Sequence, residues 1–179
     1  MKKILFLFCI LLNFHLVAAQ SDSSSRNIEI GVRSKKYAGF YYVNGISVQM
    51  QSPNSKNGSV YYGIHLSSSV LGSALGSNAL STYEVEFNAT KLYRKGKIIQ
   101  PLMKFNVGFV SVDFGEYSEL FENLPQWGII SAIETGFAVN LKRIHPKLKT
   151  QITGGFHIYS GGPGVVYPAY VAGLLMWRL

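Results

Sequence analysis

The sequence predicts an all-β fold: eight antiparallel strands closed up-and-down into a transmembrane β-barrel. Three observations predict it. Apolar and polar residues alternate with period two through eight runs, at roughly 27–34, 38–51, 59–71, 81–94, 97–114, 129–142, 148–160 and 166–179. The two faces this alternation defines are unequal: one is almost free of charge, and the other holds the ions and most strand glycines. Charged residues make up only 15% of the chain, against roughly 25% in an ordinary soluble domain. The 179 residues suit one domain, the 47% apolar content excludes disorder, and the single Cys excludes a disulfide scaffold.

The first element is for export. Met1-Lys2-Lys3 is a basic start, Ile4 to Leu12 is an unbroken apolar run, and Val17-Ala18-Ala19 places small residues before Gln20. This layout predicts a secretory signal peptide over residues 1–19, cut after Ala19. The run is too short to span a bilayer, which takes about 20 apolar residues. Cys9 lies inside it, with too little chain before it for a lipoprotein anchor. Residues 20–26, with the Ser-rich stretch Ser21 to Ser25, form a polar leader, and the barrel occupies 27–179. No later stretch reads as a spanning helix, so a membrane location requires a barrel.

The strands follow, with connections of alternating length. Ser34-Lys35-Lys36-Tyr37 joins the first pair, and Ser52 to Gly58 leads to the third strand. Residues 68–80, rich in Ser, Gly and Ala, form a loop, and Arg94-Lys95-Gly96-Lys97 is a tight turn. Asp113 to Gly128 is a long connection in which Glu116, Glu119 and Glu122 could support a helical turn. Arg143 to Lys147 is short, and Ser160-Gly161-Gly162-Pro163-Gly164 is the last loop. Bacterial outer membrane barrels have this asymmetry of short periplasmic turns and longer outer loops. An even strand number puts both termini on the periplasmic side.

The apolar face runs through Ile30 and Val32, Ile46 and Val48, Val85 and Phe87, Phe105 and Phe109, Ile133 and Phe137, Phe156 and Ile158, and Leu175 and Trp177. Lys91 is its one charge, close enough to the turn at Gly96 to reach headgroups. The opposite face includes Glu29, Arg33, His65, Glu84, Glu86, Lys104, Asn106, Glu134, Gln151, His157 and Arg178. Segregation alone has two solutions: apolar side out to lipid, or apolar side in, as in a soluble periplasmic lipocalin-like carrier. Gly31, Gly45, Gly63, Gly108, Gly136 and Gly155 fall on the polar face. A solvent-facing strand gains nothing from Gly, whereas a narrow eight-stranded interior needs small residues between large ones. The polar face is therefore read as the lumen. The Gly-x-Trp that lipocalin-type chains carry near the first strand is missing. Tyr37, Tyr41, Tyr42, Tyr61, Tyr62, Tyr83, Tyr93, Trp127, Tyr167 and Trp177 lie mainly toward strand ends, where aromatic girdles sit.

The signal peptide, the alternating strands and the C-terminal run Tyr167 to Leu179 resemble the small eight-stranded outer membrane β-barrels of the opacity-protein type. Members usually end in an aromatic residue read by the barrel-assembly machinery; here Trp177 and Leu179 share a face at that position. The resemblance implies a bacterial outer membrane location and that machinery as a partner in biogenesis.

The chemistry to be expected is mostly structural. Glu84, Glu86 and Glu134 can pair with Arg33, Lys104 and Arg178 inside the barrel, since buried charge is tolerable only when paired. Such a network plugs the lumen. The segment Gly154 to Ser160 also resembles the lipid A 3-O-deacylase family, eight-stranded outer membrane barrels with a His and a Ser near one strand. That alternative makes the protein an outer membrane esterase with His157, Ser160 and Glu134 as catalytic residues. A His must reach the Ser to activate it; three residues apart they fall on opposite faces of a regular strand, and only a bulge would bring them together. No cofactor or metal is expected, since His15, His65, His145 and His157 lack ligand spacing. Lys35, Lys36, Lys56, Arg94, Lys95, Lys97, Arg143, Lys147 and Lys149 sit at strand ends, suited to anionic lipid or lipopolysaccharide phosphates. No nucleic-acid role is expected. The expected function is that of a monomeric, non-enzymatic outer membrane barrel that anchors or binds at the surface. Its contact surface is the 68–80 loop and the 113–128 loop with Glu116, Glu119, Glu122 and Trp127, and an unidentified protein is a candidate partner.

Overall fold

The computed structural model describes residues 27–37, 41–52, 60–69, 81–94, 96–113, 126–160 and 168–179. These form eight strands: β1 (Ile28–Tyr37), β2 (Tyr41–Gln51), β3 (Val60–Ser68), β4 (Ser81–Leu92), β5 (Ile99–Asp113), β6 (Trp127–Asn140), β7 (Leu148–Ser160) and β8 (Ala169–Arg178). Each pairs antiparallel with the next, and β8 pairs antiparallel with β1, so the sheet closes on itself in chain order. Among the described residues there is no helix. The signal peptide and leader expected over 1–26, and Glu116, Glu119 and Glu122, lie outside the described residues.

The strands form where β-branched and aromatic residues concentrate. Closure then fixes which face is inside. The β1 register sets Val32 opposite both Ile46 and Leu175, so apolar residues line up in continuous rows around the exterior. Phe105 and Phe156 are 52% and 55% exposed on that outer surface, while Arg33, Glu86 and Glu134 are buried within. An apolar ligand cavity, which a soluble carrier needs, would require the reverse arrangement; the lipocalin-like alternative is overturned by this orientation.

At the end where β1 begins and β8 ends, the β4–β5 and β6–β7 connections are compact turns. In the β4–β5 turn the amide of Lys97 donates to the carbonyl of Arg94 (3.2 Å), with Arg94 at φ 56° and Gly96 at φ 86°. Gly adopts that left-handed conformation freely and Arg does not. Pro101, which has no amide to donate, sits near the start of β5, where its carbonyl still accepts from Tyr93 (2.8 Å). In the β6–β7 turn the amides of Ile144 and His145 both donate to the carbonyl of Leu141 (2.9 Å each).

Three sequence expectations are corrected. Ser34 to Tyr37 is not a connection: β1 continues to Tyr37, pairing with β2 and β8 over that whole stretch. Lys35 and Lys149 do not face headgroups, since the alternation carries both inside, where they are buried. Tyr37 and Tyr61 likewise point into the lumen, whereas Tyr62, Tyr83, Tyr93, Trp127 and Trp177 are exposed. The glycines of the polar face also have a different cause. A Cβ at Gly108 would lie 1.9 Å from the backbone oxygen of Val85, and one at Gly45 1.9 Å from that of Leu66. The neighbouring backbone itself closes on these positions, as a tightly curled small barrel requires. At Gly155 the Tyr170 ring would lie 2.4 Å from a Cβ, and at Gly63 the Gln49 side chain would lie 2.9 Å from one, so side chains take the space there.

Candidate functional site: the ionic lumen

Strand alternation sends every second side chain inward. From β1 these are Glu29, Arg33, Lys35 and Tyr37; from β4, Glu84 and Glu86; from β5 and β6, Lys104, Asn106 and Glu134; from β7 and β8, Thr153, His157 and Tyr170. They assemble into two clusters at different heights.

The larger one lies toward the end opposite the termini. Arg33 bridges the carboxylates of Glu86 and Glu134 through its two terminal nitrogens. Lys35 Nζ reaches Glu84 at 2.6 Å and Glu86 at 2.5 Å, and the Tyr37 hydroxyl donates to Glu84 at 2.6 Å. Glu134 also accepts from Asn106 (2.6 Å), Thr153 (2.8 Å) and Tyr170 (2.8 Å), with Lys104 Nζ at 3.7 Å. Three cations thus meet three carboxylates, and the cluster is neutral. Charge buried in a low-dielectric interior is stable only when paired and further hydrogen-bonded; the three carboxylates and Lys35 meet both conditions, while Lys104 has its 3.7 Å approach to Glu134. His157 stands edge-on to the rings of Tyr37 (5.6 Å) and Tyr170 (4.5 Å), its Nε2 3.9 Å from Glu86.

The smaller cluster is at the terminal end. Glu29 accepts from Lys149 at 2.7 Å and from Arg178 at 3.2 Å, and Lys149 Nζ lies 4.4 Å from the centre of the Tyr61 ring, a cation–π contact. Arg178 therefore does not join Glu84, Glu86 and Glu134 as expected; it serves Glu29, because β8 brings it level with the start of β1. Ser47, Gln49, His65, Asn88 and Gln151 are further buried polar side chains, with His65 opposite Glu86 and Gln49 opposite Glu29 in the ladder.

The sequence reading missed Lys35, Tyr37 and Tyr170, and the Glu29–Lys149 pair. The signal was present in phase: Lys35 and Tyr37 continue the odd-numbered series of Glu29 and Arg33, and Lys149 begins the series of Gln151, Thr153 and His157. The candidate esterase residues are placed as follows. The β6–β7 register runs unbroken from Ala132–His157 to Ile129–Ser160, so the bulge that the pair requires is not there. The oxygens of Glu134 are occupied by the contacts above. Among the described residues, no group of three or more His, Cys, Asp or Glu could hold a metal ion. Trp127 starts β6 on the exterior at the loop end, 65% exposed.

A closed antiparallel barrel with an apolar outside and a charge-filled inside defines the class: the fold is that of the small eight-stranded outer membrane barrels. The chain is similar to the N-terminal β-barrel domain of Pseudomonas aeruginosa OprF, with TM-score 0.55 and 11% identity, covering 86% of this chain and 97% of that one. It is also similar to Neisserial surface protein A, with TM-score 0.53 and 11% identity, covering 88% of this chain and 97% of that one. No family model matches the sequence, and no curated protein matches it.

Proposed function

We propose that this protein is a non-conducting barrel of a bacterial outer membrane, exported by its cleaved N-terminal segment, with both termini in the periplasm, and that it serves as a membrane-anchored scaffold binding through the loops of the opposite rim. The observation that carries this reading is the inversion of the usual globular arrangement. Val32, Ile46, Phe87, Phe105, Phe137 and Ile152 are exposed around the whole barrel, while three ion-paired carboxylates fill its interior. A belt of that size on a water-soluble monomer would be an aggregation surface; hydrocarbon is the solvent that matches it. The interior supports a structural role, since every carboxylate described there is held by at least two donors. Binding is assigned to the rim because rigid barrels present their variable chemistry on loops, and Glu116, Glu119, Glu122 and Trp127 lie on or beside the longest one.

The test uses those glutamates. A Glu-specific protease added to intact cells is expected to cut after Glu116, Glu119 or Glu122 and leave both fragments in the membrane pellet. The unboiled protein is expected to migrate differently from the boiled one on a gel, as closed barrels do. Recovery in the soluble fraction after cell breakage sinks the membrane reading. Cleavage only after the cells are opened reverses the orientation.

A further inference from the structure

We infer that the barrel mouth at the terminal end is a binding site for a multivalent oxyanion of the phosphate class. The mouth contains a cleft of about 250 Å³ whose lining includes Lys142, Lys147, Lys149 and Arg178, together with Gln51 and Gln100. The nearest side-chain carboxylate is Glu29, and it is shared: Lys149 binds one oxygen at 2.7 Å and Arg178 the other at 3.2 Å. The side chains of that trio sum to one positive charge. Lys142 and Lys147 make no ion pair among the described residues. The exposed Arg94, Lys97 and Arg143 on the adjoining turns carry the same sign. A second observation points the same way. The Nε of Arg178 is buried and has no hydrogen-bond partner among the described residues. The Arg178 side chain as a whole is 39% exposed at the mouth, so its guanidinium is partly open to a ligand there.

The chemistry selects the ligand class. Converging cations in a concavity with low-dielectric walls focus a positive potential. Arg and amide donors match the several acceptor oxygens of a phosphate. A monovalent anion would gain too little against competing salt. The inference is separate from the scaffold reading, because the mouth opens along the barrel axis to whatever solution bathes the termini.

The experiment is a titration of the refolded full barrel, in neutral maltoside micelles, with pyrophosphate. Heat release and backbone amide shifts are both recorded. Saturable binding is expected, with shifts at Gln51, Gln100, Lys149 and Arg178 and an affinity that falls as salt rises. The double change Lys142→Gln, Lys147→Gln is expected to weaken binding roughly three- to tenfold while the unboiled gel band is unchanged. Arg178→Lys, which keeps the charge and loses the fork, is expected to weaken it about threefold. The inference is overturned by no saturable binding up to about 10 mM, by an affinity indifferent to the lysine changes, or by shifts confined to other surfaces. A second arm separates the sources of phosphate. In nanodiscs, pyrophosphate binding abolished by phosphatidylglycerol but not by phosphatidylcholine assigns the site to a lipid headgroup, and equal binding in both assigns it to a free solute.

Discussion

Gly108 shows how a single residue can report on curvature. Its missing Cβ would lie 1.9 Å from the Val85 carbonyl oxygen, whereas a Cβ at Gly154, on the exterior, would have nothing within 4 Å. Gly108→Ala is therefore expected to destabilise the barrel by about 1–3 kcal/mol, because β4 or β5 must move to accept it. Gly154→Ala is expected to change stability by no more than about 0.5 kcal/mol. Urea midpoints in micelles check both, and equal values would refute the steric account. Arg33 is the second residue on which much depends. Removing it leaves Glu86 and Glu134 facing each other without their shared counter-charge, so Arg33→Leu is expected to cost about 3–5 kcal/mol. If the variant unfolds at the wild-type midpoint, the pairing has no structural weight. At this scale the sequence was informative in kind and incomplete in extent. Arg33, Glu86 and Glu134 are legible as inward charges from their phase alone. Which carboxylate each cation serves was not, because partners such as Arg33 and Glu134 meet across the barrel diameter rather than along one strand.

Strands, as elements, owe their position to two unlike solvents. In β5 the outward series Met103, Phe105, Val107, Phe109 alternates with the buried series Leu102, Lys104, Asn106, Val110. Phe105→Arg puts a charge near mid-strand on the outer side and is expected to cost about 2–4 kcal/mol when unfolding is followed in lipid vesicles. In micelles, whose surface lets the side chain reach water, the cost is expected to fall below about 1 kcal/mol. Similar penalties in both settings would mean that this face does not meet hydrocarbon. Element boundaries were the least legible feature. The Ser34-Lys35-Lys36-Tyr37 stretch has the composition of a turn, yet it is strand, because β2 and β8 both offer ladder partners to it and Lys35 gains two carboxylates inside. A local reading of polarity has no access to partners that arrive from residues 84 and 86.

For the molecule as a whole, the proposed non-conducting role rests on the buried cluster of Arg33, Lys35, Lys104, Glu84, Glu86 and Glu134 across the lumen. Planar bilayers containing the purified protein are expected to show no stepwise ion current, and regular channel openings would refute the plugged reading. By itself the sequence determined the strand count, the antiparallel order, the inequality of the two faces and the identity of most inward ions, because period-two alternation and sharp charge segregation are local properties that need no partner to be seen. Only the tertiary structure decided that β1 reaches Tyr37, that Glu29 gathers Lys149 and Arg178 into a second cluster, and that the glycines mark backbone contact. These depend on the sheet curling closed, which brings neighbouring backbones together and sets side chains from distant parts of the chain at one height inside a narrow interior.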